Sequence, residues 1–269
     1  MATAYVDIQK GLGPEGRVAV VRFDRGDKAN ALSPEAMRQL RAAALSFEDD
    51  LDTSVIVLTG TARAFSAGFD LKDGERKLAR GAGLAHERRA ISIGPKMCRA
   101  WSSLEQVTIA AIEGHCIGGG VALAVALDFR VCGRSAHFRV PEVALGLNMS
   151  WGSLPRLVAL MGPARAKQAV LFADDRIASA DALTWGLVEA VVDDGRALAR
   201  AVEMAERIAA LPPIPVKMTK ATIDRISRAH DDPTSHMDLD QFVLTTRSDD
   251  HAEGVSAFLD KRKPRFRGR

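Results

Sequence analysis

Three glycines in a row, Gly118, Gly119 and Gly120, stand directly before the apolar run VALAVAL. Glycine inside regular structure costs about 0.5–1 kcal/mol relative to alanine, so three together at the start of a buried helix need a reason. The first N–H groups of a helix have no partner within it, and they point outward with the positive end of the helix dipole. Residues without side chains let a ligand come close to that backbone. The stretch can therefore present an N–H, that of Gly119, to a developing negative charge. It also suits a tight turn that binds nothing. A second bend, TARAFSAGFDLKDGE (61–75), places Ser66, Ala67 and Gly68 before Phe69 and Asp70. Its free amide would be that of Phe69. Two such bends aimed at one oxygen give the paired donors that stabilise an oxyanion, where losing one donor costs about 3–4 kcal/mol.

The third stretch is HFRVPEVALGLNMSWGSLPRL (137–157). Pro141 opens a bend, and Glu142 follows with Val143, Ala144 and Leu145 around it. A carboxylate in apolar surroundings has a raised pKa, which suits proton transfer near neutral pH. The alternative is a solvent-facing glutamate at a helix N-terminus, a comfortable place for negative charge. His115 is close to the glycines and of a type that titrates near neutrality; it reads as a loop histidine.

Holding these groups takes an alternating frame. VAVVRF (18–23), SVIVLTG (54–60), VTIAAIEG (107–114), FRVCG (129–133) and HFRV (137–140) read as buried strands. Between the first two, residues 33–50 read as a helix, with Ser33 as N-cap, Pro34 in the first turn and Met37, Leu40, Ala44 and Phe47 on one face. Beyond residue 155 the pattern turns helical: GPARAKQAVLF, SADALTWGLVEAVV, then DGRALARAVEMAERIAALPP. The last of these has Leu198, Val202, Ala205 and Ile208 or Ala209 on one face, and Pro212–Pro213 ends it. Further helices are expected around 214–229, 234–248 and 251–262. The class is α/β, with a core over 1–198 and a helical region over 199–269.

The 269 residues are 47% apolar and 26% charged, enough to bury a sizeable core. A net charge of +3 argues against nucleic acid as the main partner. The basic end KRKPRFRGR reads as a solvated tail or as a cationic patch for a phosphorylated ligand. Cys98, Cys116 and Cys132 show neither disulfide nor metal-site spacing. The N-terminal stretch lacks signal-peptide character, and no apolar run is long enough to span a bilayer. A cytoplasmic location is expected.

Read in order, DKANALSPEAM (27–37), AFSAGFDLK (64–72), GHCIGGGVALAVALDFRV (114–131), FRVPEVALGL (138–147), DRIASADALTWGLV (175–188) and EGVSAFLDKRKPRF (253–266) resemble the crotonase superfamily, the enoyl-CoA hydratase/isomerase family. The resemblance implies a spiral of ββα turns followed by helices that build a homotrimer, often paired into a hexamer. It implies an acyl-coenzyme A thioester as substrate, held through its carbonyl by the Phe69 and Gly119 amides. Glu142 takes the place of a catalytic glutamate. The other glutamate of two-acid hydratases is replaced by Ala122, which can neither orient water nor carry a proton. The implied reaction is hydration of a 2-enoyl-CoA, with 3-enoyl to 2-enoyl isomerisation as the alternative. Non-catalytic acyl-CoA binding and RNA binding are the readings from other classes. No resident cofactor and no metal are expected; coenzyme A enters with the substrate.

Further roles follow from the same matches. Lys28, Ala29, Ala67, Asp70, Leu71, Lys72 and Gly118 fall in the coenzyme A-binding segments, with Phe258 and Lys261 on the last helix. Ser150 is a candidate to hold water, or else an ordinary surface serine. Ala122, Ser150 and Trp151 are acyl-pocket candidates. Trp101 is either a pocket wall or core. Residues 72–101 match least, and Arg80, His86, Glu87, Arg88 and Arg89 there read mostly as a solvated helix face.

Overall fold

Strands buried on both faces read as unbroken apolar runs, and four of the five runs identified above, all but HFRV, form the centre of the larger sheet. The computed structural model describes residues 3–173 and 175–269, apart from the side chains of Arg76, Lys77, Arg80 and Asp232. β1 (Val6–Leu12) and β2 (Val18–Phe23) form an antiparallel pair, and α1 (Pro34–Leu45) follows. Ser33 caps α1 as expected, its Oγ accepting from Ala36 N at 3.2 Å. Next come β3 (Val55–Thr59), β4 (Ala64–Ser66), α2 (Glu75–Gly81), α3 (Leu84–Ile91) and α4 (Ile93–Ser102). A second turn adds β5 (Val107–Ile112), β6 (His115–Ile117) and α5 (Gly119–Ala124). A third adds β7 (Phe129–Gly133), β8 (His137–Arg139) and α6 (Ser153–Leu171). β9 (Ile177–Ala178), α7 (Ser179–Trp185) and β10 (Ala190–Val192) close the strand-bearing part.

Each turn sends its first strand to one sheet and its second to another. The six-stranded sheet runs β1-β2-β3-β5-β7-β10, parallel except for the β1–β2 pair. The four-stranded sheet runs β4-β6-β8-β9, with only β8–β9 antiparallel. Stacking the turns brings the ends of β4, β6 and β8 side by side. Those ends carry the Phe69 bend, the glycine run and Glu142.

Side-chain alternation splits the large sheet between two cores. Val21, Phe23, Ile56, Leu58, Ala110 and Ile112 face α1, α4 and α5, where Met37, Leu40, Met97 and Trp101 fill the interior. Val18, Val20, Val55, Val57, Val107 and Ile109 face α8 (Ala197–Ala209). That helix lays Ala197, Ala201, Ala205 and Ala209 on the sheet. The buried stripe shares Ala205 and Ala209 with the expected face and continues through Ala201 and Ala197, a row of methyl groups that lets the helix lie close, while Leu198, Val202 and Ile208 pack half-buried along its edge. The division expected after residue 198 falls at the start of this helix. α9 (Pro213–Ser227), α10 (Asp231–Ser235), α11 (Asp238–Thr245) and α12 (Asp249–Leu259) complete the chain.

Five segments differ from expectation. GLVEAVV is not helical: Gly186 takes a left-handed conformation that ends α7, and β10 follows. β1, β4, β6 and β9 are additional strands, short or broken by glycine and polar residues. The basic tail is exposed, yet its backbone is tied down. Arg267 and Gly268 N–H groups donate to the Asp250 carboxylate at 2.7 Å, and Arg265 N donates to Glu253 at 2.8 Å. Among the described residues, no helix is long and apolar enough to cross a membrane.

Candidate active site

The bend after β4 is held nearly amide by amide. Ala67 N donates to Ala29 O at 2.9 Å, Gly68 N to Ser66 Oγ at 3.0 Å, and Asp70 N to Leu32 O at 3.2 Å. Asn30, wholly buried with φ +47°, braces the facing loop by donating to Phe23 O and Phe65 O at 3.1 and 2.9 Å. Of the four amides from Ala67 to Asp70, that of Phe69 is the one with no described acceptor. The bridge between Leu32 and Phe69 fixes its direction, turning that N–H away from Leu32.

Each glycine of the run makes room for a particular neighbour. Gly118 N donates to Arg139 O at 2.8 Å, and its φ is +53°, a conformation open to glycine at little cost. A β-carbon there would stand 2.7 Å from Glu142 Oε1. At Gly119 it would stand 2.7 Å from the Trp151 ring, and at Gly120 2.9 Å from Ser66 O. The triplet is thus required by a carboxylate, an indole and a backbone carbonyl packed against three successive residues. Gly119 opens α5, with Ala122 N making the first internal bond to Gly118 O at 3.0 Å. The two bends meet: a β-carbon on Gly68 would lie 3.3 Å from Gly119 N.

Glu142 follows β8 and Pro141 and begins a tight turn, its carbonyl accepting from Leu145 N and Leu147 N at 3.0 and 2.9 Å. Its carboxyl faces inward against Gly118, and Oε2 is buried with no hydrogen-bond partner. Burial pushes the carboxyl up to about 7; the residue's own backbone N–H and the Arg139 charge oppose the shift. It is not the solvent-facing glutamate of the alternative reading. A group poised there exchanges a proton near neutrality in either direction.

The other candidates fall in three places. Ala122 is buried in α5, one turn behind the glycines, and brings only a methyl group. Ser150 is buried rather than on the surface; its carbonyl accepts from Ser153 Oγ at 2.6 Å. Trp151 stands at Gly119, whereas Trp101 is core, its indole N–H donating to Leu40 O at 3.1 Å. Ala29 and Ala67 are bonded to each other beside the Phe69 bend, and Lys28 and Lys72 are exposed at its rim with Leu71 half-buried. Asp70 is held by Arg25 at 2.6 Å, which keeps its carboxyl low against the opposing effect of burial. Phe258 and Lys261 are exposed at the end of α12, and among the described residues no hydrogen bond joins them to the Glu142 site.

Two expectations near the site are corrected. Glu87 is fully buried rather than solvated, its Oε2 accepting from Arg247 at 2.8 Å, because α3 packs beneath α11. His115 lies on β6 rather than in a loop, its Nδ1 3.2 Å from Nε2 of His137. Sequence reading missed Gly94 and Asp238. Gly94 on α4 receives the Trp151 indole, and Asp238 accepts from Gly152 N at 2.9 Å. A glycine in the first turn of α4 was the one available signal for the former; nothing local marks the latter. Among the described residues no group of three or more His, Cys, Asp or Glu is placed to hold a metal ion.

The family model described as enoyl-CoA hydratase/isomerase matches residues 13–269. The crotonyl-CoA hydratase of Syntrophomonas wolfei is 32% identical over 256 residues, covering 95% of this chain and 96% of its own. The short-chain-enoyl-CoA hydratase of Clostridium acetobutylicum is 31% identical over 253 residues, covering 94% and 95%. The crystal structure of an enoyl-CoA hydratase from Mycobacterium avium subsp. paratuberculosis superposes with a TM-score of 0.85 at 25% identity, covering 99% of this chain and 100% of that one. The winding of ββα turns described above is therefore the crotonase-like spiral.

Proposed function

The chain belongs to the enoyl-CoA hydratase/isomerase family, and from that premise and the site's geometry we propose that it hydrates a 2-enoyl-CoA to a 3-hydroxyacyl-CoA. In this reading the Phe69 and Gly119 N–H groups hold the thioester oxygen. The Glu142 carboxylate takes a proton from water as the water oxygen bonds to the third carbon of the acyl group. The displaced π electrons move onto the thioester as an enolate, whose oxygen the two amides and the start of α5 stabilise. Glu142, now a carboxylic acid, delivers the proton to the second carbon. The observation that carries this reading is the Glu142 carboxyl against Gly118, its buried Oε2 without a hydrogen-bond partner, one residue from the Gly119 amide, for which no acceptor is described. No resident cofactor enters the scheme, and coenzyme A arrives with the substrate.

Lys28, Ala29, Ala67, Leu71 and Lys72 line the approach to the Phe69 bend and are assigned to coenzyme A, with Phe258 and Lys261 closing over it. Asp70 acts there through Arg25, holding the bend. Ser150 is assigned to the water. The exposed apolar residues Ile223, Ile226, Leu244 and Phe258 on the C-terminal helices support assembly as a homotrimer or a pair of trimers. A cytoplasmic location goes with this reading.

Ala122 favours a second reading, since a single acid suffices to move a proton from the second carbon to the fourth. The two reactions are separated by supplying a 2-enoyl-CoA and a 3-enoyl-CoA in turn and following the absorbance of the conjugated thioester. Hydration removes absorbance from the first; isomerisation creates it from the second. Tight thioester binding without turnover of either would overturn both.

A further inference from the structure

Trp151 is the least expected group beside Gly119. Its φ is +62°, a left-handed conformation that is an outlier for a bulky side chain, and such strain persists where the surroundings over-determine it. The surroundings here do so. Gly152 N donates to Asp238 at 2.9 Å, Ser153 Oγ donates to Ser150 O at 2.6 Å, and Gly94 on α4 leaves a notch that the indole fills. A β-carbon on Gly94 would overlap Cε2, Cζ2 and Nε1 of the ring, and one on Gly119 would press on Cζ3 and Cη2. The indole thus spans from α4 to the first residue of α5.

Behind Trp151 lies a cleft of about 1060 Å³ between α4 and the C-terminal helices, and the ring is part of its wall. Pro95, Ile214, Met218 and Leu239 contribute apolar lining, with Arg99 and Arg156 among the charged groups. One side of the indole therefore meets the residue whose amide faces the thioester oxygen. Trp151 also borders the cleft, whose volume is large enough for a long acyl chain.

We infer that the Trp151 indole is the specificity-determining wall of the acyl site, limiting it to short-chain acyl groups by closing it off from the cleft behind. This rests on the acyl-CoA reading of the Glu142 site. The chain beyond the reacting carbons meets a rigid aromatic face seated in a notch with no Cβ, so it has nowhere to pass while the ring stays in place. The strained backbone of Trp151 is the conformation that holds the ring across the opening.

The test compares binding of butyryl-CoA and octanoyl-CoA to the wild type, Trp151→Ala and Trp151→Phe by calorimetry, with turnover of the matching 2-enoyl-CoA thioesters measured separately. One methylene in a tight pocket is worth about tenfold or more in discrimination. The wild type is expected to bind octanoyl-CoA at least about tenfold more weakly than butyryl-CoA. Trp151→Ala should shift the ratio of octanoyl-CoA to butyryl-CoA affinity about tenfold or more toward octanoyl-CoA, and Trp151→Phe should fall between. The smaller change to Phe keeps the comparison available if the alanine variant does not fold. Equal binding of both chains by the wild type, or an equal shift of both in the variants, overturns the inference. If the binding profile shifts as expected while no enoyl-CoA is converted, the wall stands and the proposed reaction falls. If no acyl-CoA binds at all, both fall.

Discussion

The two sides of the site are built from different materials. On the reaction side, the groups that would touch the thioester are two backbone amides and one carboxyl, each fixed by strand ends and by glycines with a neighbour pressed against them. On the acyl side, the wall is a single indole backed by helices that meet through charged side chains, such as Arg156 with Asp231 at 3.1 Å and Arg247 with Glu87 at 2.8 Å. Backbone geometry tolerates almost no substitution without moving the chain, whereas a side-chain wall can be changed one residue at a time. The difference assigns chemistry to the first region and selection to the second, and variants can break that assignment.

The largest effect is expected on the reaction side. Glu142→Gln keeps the shape and removes the titrating group, so kcat/KM should fall by about 10²–10⁴-fold. Binding of a saturated acyl-CoA should change little, since the amides and the pocket remain. Retained turnover would remove Glu142 from the chemistry and with it the contrast between the two regions.

A smaller effect on the same side follows from pH. Burial raises the Glu142 carboxyl from its ordinary value of 4.5 to about 7. Hydration starts from the carboxylate, so kcat/KM should drop about tenfold per pH unit below 7 and level off above it. Stability carries the same signature. Below pH 4.5 the group is protonated in both folded and unfolded chains, and no difference arises. Between 4.5 and 7 the unfolded chain ionises first, so the native protein loses stability as pH rises, by about 3 kcal/mol in full. Glu142→Gln does not titrate and should gain on the wild type by that amount across the window. Urea unfolding at pH 4.5 and pH 7.5 measures the gap, and a gap independent of pH would contradict the burial of this carboxyl.

How well each region could be read from sequence follows from how it is built. The centre of the sheet was legible because its strands are buried on both faces and written in valine and isoleucine. β4 and β6, three residues each, carry no period to detect, yet they deliver both bends. The glycines announced close approach but not what approaches; only the folded chain brings Glu142, Trp151 and the Ser66 carbonyl to three successive residues. Glu87 shows the opposite limit: its charged neighbours predict a solvated helix, and a partner 160 positions away reverses that. The fold class was therefore local information, the two bends were half local, and the acyl wall depended on contacts between distant segments.

The smallest effect on turnover is expected on the acyl side, where the Glu87–Arg247 pair ties α3 to the stretch joining α11 and α12. Glu87 is fully buried, and its Oε1 has no partner, so Arg247 is its only described counter-charge. Arg247→Met leaves that carboxylate without compensation. Breaking a buried pair costs about 3–5 kcal/mol, but the Arg247 side chain is 42% exposed, so solvent screening reduces the expected loss to roughly 1–3 kcal/mol. A Tm lower by several degrees should report it. With a short-chain substrate, kcat/KM should stay within about threefold of the wild type, because the pair lies outside the amides and carboxyl assigned to the chemistry. A loss of turnover approaching that of Glu142→Gln would show instead that helix packing on the acyl side sets the reacting geometry, and that the two regions act as one.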